Sequence, residues 1–383
     1  MPRINGGIIG KSNRPEFYKS GGIWTLSDVE LSRRIGQWPL AIGNISIGVA
    51  QGTSPYIQIY PWTTGTGFGA KYADPATLPT GVGNGIDFSP SGSDVGVAHT
   101  TTPFVSIYPW SSIGFGTKYA NPVTLPSSAG QGINFSPSGS DVGVAHTTTP
   151  FVAIYPWTTG TGFGTKYANP STLPASHGQG INFSPSGTDV GVAHQSSPYV
   201  SIYPWTTGTG FGTKYANPAT LPPNNGNAVN FSPSGTDVGI ANSTTTPYVG
   251  IYPWTTGTGF GTRYANPGTS PGDSVNGINF SPSGLDVALA GAASPYLFLY
   301  PWTTGTGFGT KYANPATLPS GATGYDVSFS PYGNDIAYGS GTVTPSISVY
   351  PWISGTGFGT KYANPTIATS STVNSVSFAA LAA

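Results

Sequence analysis

The tripeptide Tyr-Pro-Trp recurs seven times, with a spacing of 47 to 50 residues between successive copies. Every copy is followed by a Gly-Phe-Gly segment that carries one Lys or Arg and ends in Asn-Pro or Asp-Pro, and six are preceded by a Phe-Ser-Pro element. The seven tryptophans are Trp62, Trp110, Trp157, Trp205, Trp254, Trp302 and Trp352. Self-similarity at a fixed period of this length indicates an architecture built from repeated supersecondary units.

One repeat, residues 133–170, predicts four strands. Pro137-Ser138-Gly139 forms a turn that fixes the backbone direction locally, and Pro150 and Pro156 bound the third strand. The predicted strands cover residues 133–136, 141–146, 151–155 and 163–169. Four short strands with turn residues between them, at this period, are typical of one blade of a β-propeller.

The third strand is apolar on both of its faces. Val152 and Ile154 point to one side, whereas Phe151 and Tyr155 point to the other. A strand with one wet face would alternate with polar residues, so this pattern predicts a blade packed between two neighbours. Gly143 on the second strand is expected to make room for side chains of an adjacent blade.

The two ends of the chain complete each other. The first Tyr-Pro-Trp is preceded by a strand at residues 45–50 but by no Phe-Ser-Pro strand, and a matching strand occurs at residues 376–378. We therefore expect the C-terminus to supply the innermost strand of the blade formed by residues 45–74, which leaves no open sheet edge. The predicted fold is all-β: a seven-bladed propeller of four-stranded antiparallel blades over residues 43–383, with residues 1–42 as a separate N-terminal arm.

Composition narrows the function classes. Only 7% of the 383 residues are charged, the formal net charge is zero and there is no cysteine. A neutral chain lacks the dense basic face that nucleic acid requires. No stretch approaches the ~20 apolar residues of a membrane-spanning helix. We expect neither nucleic-acid binding nor membrane insertion, and no cofactor.

The repeat resembles that of the WD-repeat propeller family. Phe-Ser-Pro-Ser-Gly at 183–187, Val-Gly-Val-Ala at 190–193 and Ile-Tyr-Pro-Trp at 202–205 occupy the places of that family's strand motifs, and a Thr-Thr-Gly turn follows. Here, however, Trp is not followed by Asp, and the family's Gly-His pair is missing. The resemblance therefore implies the propeller architecture but not the family's His–Asp hydrogen-bond network.

The N-terminal arm resembles a pattern common in structural proteins of tailed bacteriophages. Its matching segments are Gly-Gly-Ile-Ile-Gly at 6–10, Ser-Gly-Gly-Ile-Trp-Thr-Leu at 20–26 and Arg-Arg-Ile-Gly-Gln-Trp-Pro at 33–39. The resemblance implies a virion component whose residues 1–42 contact other virion proteins.

The residues of the arm also predict a short helix. Ser27 and Glu30 have the spacing of a capping box, which predicts a two-turn helix over residues 28–35. A helix of this length is unstable alone, so it must dock on the propeller or on a partner, and we favour a partner or a second subunit. The residues expected to make that contact are Trp24, Leu26, Leu31, Arg33, Arg34 and Trp38.

Two regular sets of titratable residues recur on the second strand without indicating catalysis. Equivalent positions in adjacent blades should lie roughly 10 Å apart, too far to share a substrate atom or a metal ion. Each aspartate is expected to bond to its own turn, and each histidine to be an ordinary polar residue at a strand end. The sets are Asp94, Asp141, Asp189, Asp237, Asp286 and Asp335, and His99, His146 and His194. Because no blade shows a cluster of catalytic residue types, we expect a protein that is not an enzyme.

One cation per blade follows the Gly-Phe-Gly segment. The set comprises Lys71, Lys118, Lys166, Lys214, Arg263, Lys311 and Lys361. On the outermost strands these residues would protect the sheet edge against strand addition. Alternatively, they would form a ring that contacts an anionic glycan or a neighbouring virion protein.

Together these patterns predict a non-enzymatic bacteriophage virion structural protein: a tail, fibre or head appendage whose arm anchors a rigid propeller. The alternative is a glycan-binding propeller that recognises a host surface through weak sites repeated around the ring.

Overall fold

A computed structural model describes residues 8–9, 23–24, 45–321, 323–341, 344–369 and 371–380. Its strands form seven four-stranded antiparallel sheets and one two-stranded sheet. The seven larger sheets are the blades of a β-propeller, which confirms the predicted fold class.

The first two strands, β1 (Ile8–Ile9) and β2 (Ile23–Trp24), pair with each other, and the remaining strands build the blades. Blade 1 contains β3 (Ile45–Gln51), β4 (Ile57–Thr63), β5 (Gly67–Phe68) and β30 (Val373–Ala380). Blades 2 to 4 contain β6 (Gly83–Phe88), β7 (Asp94–His99), β8 (Val105–Ser111) and β9 (Gly114–Phe115); β10 (Gly130–Phe135), β11 (Asp141–His146), β12 (Val152–Thr158) and β13 (Gly162–Phe163); and β14 (Gly178–Phe183), β15 (Asp189–His194), β16 (Val200–Thr206) and β17 (Gly210–Phe211). Blades 5 to 7 contain β18 (Gly226–Phe231), β19 (Asp237–Asn242), β20 (Val249–Thr255) and β21 (Gly259–Phe260); β22 (Val275–Phe280), β23 (Asp286–Gly291), β24 (Leu297–Thr303) and β25 (Gly307–Phe308); and β26 (Gly324–Phe329), β27 (Asp335–Ser340), β28 (Ile347–Ile353) and β29 (Gly357–Phe358).

The outer strands of a blade differ from their predicted bounds. In blade 3 the third strand continues through Pro156 to Thr158, and the outermost strand is only Gly162–Phe163. Beyond it, Gly164 N–H donates to Pro156 O at 2.8 Å and Tyr167 N–H donates to the next free carbonyl, Ile154 O, at 3.0 Å. The segment after Phe163 thus remains hydrogen-bonded to the third strand, but these bonds are too few for a regular strand.

The predicted closure of the ring is confirmed. β30 pairs antiparallel with β3, with Val376 opposite Val49 and Phe378 opposite Ile47. The innermost strand of blade 1 therefore comes from the C-terminal part of the chain, while its other three strands come from the N-terminal part.

Each pair of adjacent blades encloses its own apolar cluster. Between blades 3 and 4, Val152 and Ile154 pack with Ile181 and Phe183. A Cβ atom built on Gly143 would lie 2.5 Å from Ile181 Cδ1, so the glycine makes room for the next blade, as expected. Both faces of a blade are therefore buried.

An aspartate at the start of the second strand joins neighbouring blades, and we call this contact the Asp–Trp clamp. The Asp94 carboxylate accepts the Trp157 Nε1–H of blade 3 at 3.1 Å and the Tyr119 O–H at 2.8 Å. The same Trp–Asp bond, 2.9 to 3.2 Å long, occurs for Asp141, Asp189, Asp237, Asp286 and Asp335. The predicted turn role of these aspartates is wrong; a serine performs it, since Ser136 Oγ accepts the Asp141 N–H at 3.0 Å.

Most of the N-terminal arm lies outside the described residues. Trp24 belongs to β2, whereas the predicted helix at 28–35 and the predicted contact residues Leu26, Leu31, Arg33, Arg34 and Trp38 are not described. The domain boundary near residue 42 and the partner contacts of the arm stay predictions. In the part of the chain that is described, no helix is long and apolar enough to cross a membrane.

The clamp predicts a large stability loss on truncation of its aspartate. Asp189→Ala leaves the buried Trp254 Nε1–H without its acceptor, so we expect the free energy of unfolding to fall by about 2–4 kcal/mol. The measurement is urea unfolding followed by tryptophan fluorescence. Asp273→Ala, at an exposed loop carboxylate, is the control and should change stability by less than about 0.5 kcal/mol. Equal effects of the two substitutions would contradict a stabilising role of the clamp.

Candidate functional site

The innermost strands of the seven blades surround a cavity on the propeller axis. Its volume is about 480 Å³, and polar side chains of these strands line it. Each lining strand carries a six-residue motif that reads Gly-Gln-Gly-Ile-Asn-Phe in blades 3 and 4. We call this the inner-strand motif. Aliphatic residues at its fourth position border the cavity, together with the residues at its second, third and fifth positions.

These three positions form three rings around the axis. The second-position ring consists of Asn84, Gln131, Gln179, Asn227, Asn276, Tyr325 and Asn374. The fifth-position ring consists of Asp87, Asn134, Asn182, Asn230, Asn279, Ser328 and Ser377. The third position is small in most blades because the backbones meet closely: a Cβ atom on Gly85 would lie 2.9 Å from Gln131 O.

The fifth-position ring also ties the blades together. The side-chain oxygen in one blade accepts the backbone N–H of the phenylalanine that ends the inner-strand motif of the next, as Asn134 does for Phe183 at 2.9 Å. These N–H groups lie on the free edge of an innermost strand, where an unpaired donor would be costly. The fold therefore requires polar residues in this ring. The positions that differ from the common residues are the ones that can indicate a ligand site.

Asp87 is the first departure, since four other blades carry Asn at its position. Its Oδ2 accepts the Phe135 N–H at 2.8 Å and the Asn134 Nδ2–H at 3.0 Å. Loss of hydration in the cavity wall raises the pKa of Asp87 to about 7, although these hydrogen bonds act in the opposite direction. Near neutral pH this group exists in both protonation states.

Asp326 is the second departure, at a third position where most blades have Gly. Its Oδ2 accepts the Ser375 O–H at 2.8 Å and the Val376 N–H at 3.0 Å, and its Oδ1 accepts the Val327 N–H at 2.8 Å. Gly277 in the preceding blade leaves room for the carboxylate, because a Cβ atom there would lie 3.0 Å from Oδ1. Burial raises the pKa of Asp326 to about 6.

The cavity contains two carboxylates and no compensating cation. Among the described residues that line it there is no Lys, Arg or His, and the remaining polar groups are neutral amides and hydroxyls. The prediction that no blade shows a cluster of catalytic residue types missed this pair. The signal was present: Asp87 stands at an Asn position, and Tyr325-Asp326 replaces Asn-Gly or Gln-Gly.

The three strand-end histidines lie away from this cavity. His99 Nε2 is 3.0 Å from Ser106 Oγ, and His194 Nε2 is 3.0 Å from Ser201 Oγ. A Ser–His contact of this length can activate a nucleophile, but all four side chains are at most 1% exposed. They are therefore structural, in agreement with their predicted role.

The predicted cation ring lies at the outer perimeter, beyond the outermost strands. Lys71 forms an ion pair with Asp74, and the cation in each other blade donates to the Asn three residues later. Burial lowers the pKa of five of these lysines: Lys118, Lys166, Lys214, Lys311 and Lys361. None of the seven cations lines the axial cavity. Edge protection and partner contact both stay predictions for this set.

The described residues show no group of three or more His, Cys, Asp or Glu side chains that could hold a metal ion. Asp87 and Asp326 each already accept several protein hydrogen bonds.

The chain is similar to several solved structures at low sequence identity. A putative 6-phosphogluconolactonase from Bacteroides uniformis is 14% identical, with 88% of this chain and 100% of that chain covered and a TM-score of 0.65. The periplasmic gluconolactonase PpgL from Pseudomonas aeruginosa is 15% identical, covers 88% and 99%, and has a TM-score of 0.65. A protein from Lactobacillus plantarum is 14% identical, covers 88% and 99%, and has a TM-score of 0.67. No protein-family model and no curated protein matches the sequence.

These likenesses show the fold, and they correct the predicted function. Two of the three structures reported above are named for lactonase enzymes, and none of the three is a virion protein or a WD-repeat protein by name. The predictions of a non-enzymatic virion structural protein, and of a chain that is not an enzyme, are therefore wrong. The alternative prediction, a glycan-binding propeller, is not supported by these structures either. The coarser prediction, a seven-bladed propeller, is confirmed.

The buried histidines predict a pH-dependent stability. Burial lowers the pKa values of His99, His146 and His194 to about 4, against about 6.5 in the unfolded chain. Between these values the unfolded state binds more protons, so their contribution to stability is complete above pH 6.5 and is lost as the pH falls towards 4. Asp87 and Asp326 titrate in the opposite sense, because their folded pKa values are raised.

The histidine contribution is isolated by comparing the wild type with the triple variant His99→Asn, His146→Asn, His194→Asn. Blade 5 already carries Asn242 at this position, so the fold should tolerate the change. Urea unfolding at pH values from 7 to 4 should show the wild type losing stability relative to the variant. Parallel pH curves for the two proteins would contradict the prediction.

Proposed function

We propose that this protein is a lactone hydrolase that binds a small, uncharged polyhydroxylated lactone in the axial cavity. Two carboxylates, Asp87 and Asp326, face a cavity otherwise lined by neutral polar groups and aliphatic side chains, and this arrangement carries the proposal. The similarity to propellers named gluconolactonase and 6-phosphogluconolactonase supports it at the level of fold.

The lining suits a polyol. Asn and Gln side chains present both hydrogen-bond donors and acceptors, which match the hydroxyl groups of a sugar lactone. A volume of about 480 Å³ lies within the range of small-molecule sites. The blade repeat supplies such amides around the whole axis, so several hydroxyl groups can be bound at once.

The charge of the cavity favours an unphosphorylated substrate. A phosphate group is normally held by Arg or Lys side chains or by backbone N–H groups at a helix N-terminus. The described lining residues include neither cation, and they belong to strands. Two carboxylates would instead repel a phosphate, so gluconolactone fits this cavity better than its 6-phosphate.

Asp87 is assigned the role of general base. Its carboxylate takes a proton from a water molecule as the water oxygen adds to the lactone carbonyl carbon. The ring C–O bond then breaks, and the leaving alkoxide takes up a proton, so one water molecule converts one lactone into one hydroxy acid. A base whose pKa is about 7 is matched to proton transfer near neutral pH.

The natural variation among the blades provides an isosteric test of this base. Asp87→Asn introduces the residue that blades 3 to 6 carry at the same position, where the Asn oxygen accepts the same kind of N–H bond. The fold should therefore persist while the base is lost. We expect the rate of D-glucono-1,5-lactone hydrolysis above the uncatalysed background to fall by about 10²–10⁴-fold.

The pH profile gives a second readout. In the wild type, kcat/KM should rise with pH through about 7 as Asp87 loses its proton, and should level off above that value. The residual rate of the Asp87→Asn variant should lack this inflection. Asp273→Asn, which alters an exposed carboxylate outside the cavity, is the matched control and should keep the wild-type profile. A wild type that never exceeds the background rate, or an Asp87→Asn variant with full activity, would refute the proposal.

A further inference from the structure

Six of the seven junctions between neighbouring blades share three polar ties. The first is the Asp–Trp clamp. In the second, a backbone N–H of the turn between the third and fourth strands of one blade donates to a tyrosine hydroxyl of the preceding blade, as Gly160 does to Tyr119 at 2.9 Å. The third is the bond from a cavity-lining side chain to a backbone N–H of the next innermost strand, 2.8 to 3.1 Å long.

The junction between blades 1 and 2 lacks the clamp. Ser46 stands where the other blades have Asp, because Ser46 is opposite Pro61 as Asp94 is opposite Pro109. Both Ser46 Oγ and Trp110 Nε1 are buried, and neither has a hydrogen-bond partner within the described part of the chain. Among the described residues, the two groups that take the place of the Asp–Trp pair at this junction thus both lack a hydrogen-bond partner.

The second tie is missing at the same junction. The turn between Trp110 and Phe115 is one residue shorter than the turn between Trp157 and Phe163. Tyr72 still packs against the Trp110 ring at 4.9 Å. Its hydroxyl, however, has no bond to that turn of the kind found at the six other described junctions.

The third tie is present only as a long contact, from the Ile86 N–H to Ser375 Oγ at 3.4 Å, and blade 1 carries Ser377 at the fifth position of the inner-strand motif. No side chain of blade 1 accepts the Phe88 N–H, among the contacts that the structure describes; this N–H lies against the carboxylate of its own neighbour, Asp87. The apolar cluster at the junction, with Ile59 against Ile86 and Phe88, is formed as at the other junctions.

Two weaker polar contacts remain across the junction. Asn374 Nδ2–H donates to Gly83 O at 2.9 Å, and the Ile86 N–H donates to Ser375 Oγ at 3.4 Å. The first has counterparts elsewhere, such as Asn84 to Gly130 O, so it does not compensate for the missing ties. The second is long for a hydrogen bond.

We propose that the ring opens locally at the junction of blades 1 and 2 before it opens anywhere else. Buried hydrogen bonds to charged groups are among the stronger polar contacts, and this junction alone of the seven described lacks the first two ties and has only a long version of the third. Asp87 lies on one side of it and Ser375 on the other, and both line the cavity. Opening here admits solvent to the cavity from the side, next to Asp87, whether or not a lactone is the substrate.

The indole N–H groups report each junction separately. Hydrogen exchange of the tryptophan indoles, measured by NMR with each signal identified by a Trp→Phe variant, should be at least about 10-fold faster for Trp110 than for its equivalents. These equivalents are Trp62, Trp157, Trp205, Trp254, Trp302 and Trp352. A Trp110 exchange rate equal to theirs would overturn the proposal.

Two sets of variants test the proposal in opposite directions. One introduces the missing ties at the junction of blades 1 and 2, and the other removes a clamp from a different junction. The double variant Ser46→Asp, Ser377→Asn introduces the residues that other blades carry at these positions, so it should slow Trp110 exchange to the rate of the other indoles. Asp189→Ser copies the blade 1 residue into the junction of blades 4 and 5 and should accelerate Trp254 exchange alone. If the double variant does not fold, Ser377→Asn by itself must still slow exchange of the peptide around Phe88. Unchanged exchange in these variants would also overturn the proposal.

Discussion

Burial of both faces of every blade is the constraint from which the rest of the structure follows. The third strand of each blade is apolar on both sides, and each apolar cluster takes residues from two adjacent blades. A blade alone would expose two apolar faces, so the repeats are stable only in a ring, and the ring must close. Closure through β30 and β3 uses the two parts of the sequence that would otherwise have an unpaired strand edge.

The polar residues of the interior are consequences of the same ring. Seven innermost strands direct a free edge of N–H and C=O groups towards one another around the axis, and these groups need partners that do not come from a further strand. Asn side chains at the fifth position of the inner-strand motif supply them. A polar cavity is therefore not by itself evidence of a ligand site. Asp87 is such evidence, because an amide at position 87 would serve the fold equally well.

The sequence predicted what depends on local patterns and missed what depends on contacts between repeats. Blade number, strand number and closure were readable because Tyr-Pro-Trp and the turn residues recur at a fixed spacing. The role of Asp94 could not be read from the sequence, because its partner Trp157 belongs to the next blade and is 63 residues away in the sequence. Asp87 was missed because only the curvature of the ring turns the fifth position of the inner-strand motif towards the axis. The predicted function was wrong because it was inferred from the N-terminal arm and not from the propeller.

A ring of identical blades would be a poor binding site for an asymmetric ligand. In this chain, however, the blades differ from one another at a few positions that line the cavity. A channel with equal rings of amides offers an asymmetric ligand seven equivalent orientations, so no reacting atom is placed next to a particular group. The departures are concentrated where the chain ends meet: Asp326 in blade 7, Ser375 and Ser377 in blade 1, and Asp87 in blade 2. The missing clamp at Ser46 lies in the same part of the ring. Departures from the repeat around the closing blade thus give one side of the cavity both its distinctive chemistry and its weakest junction.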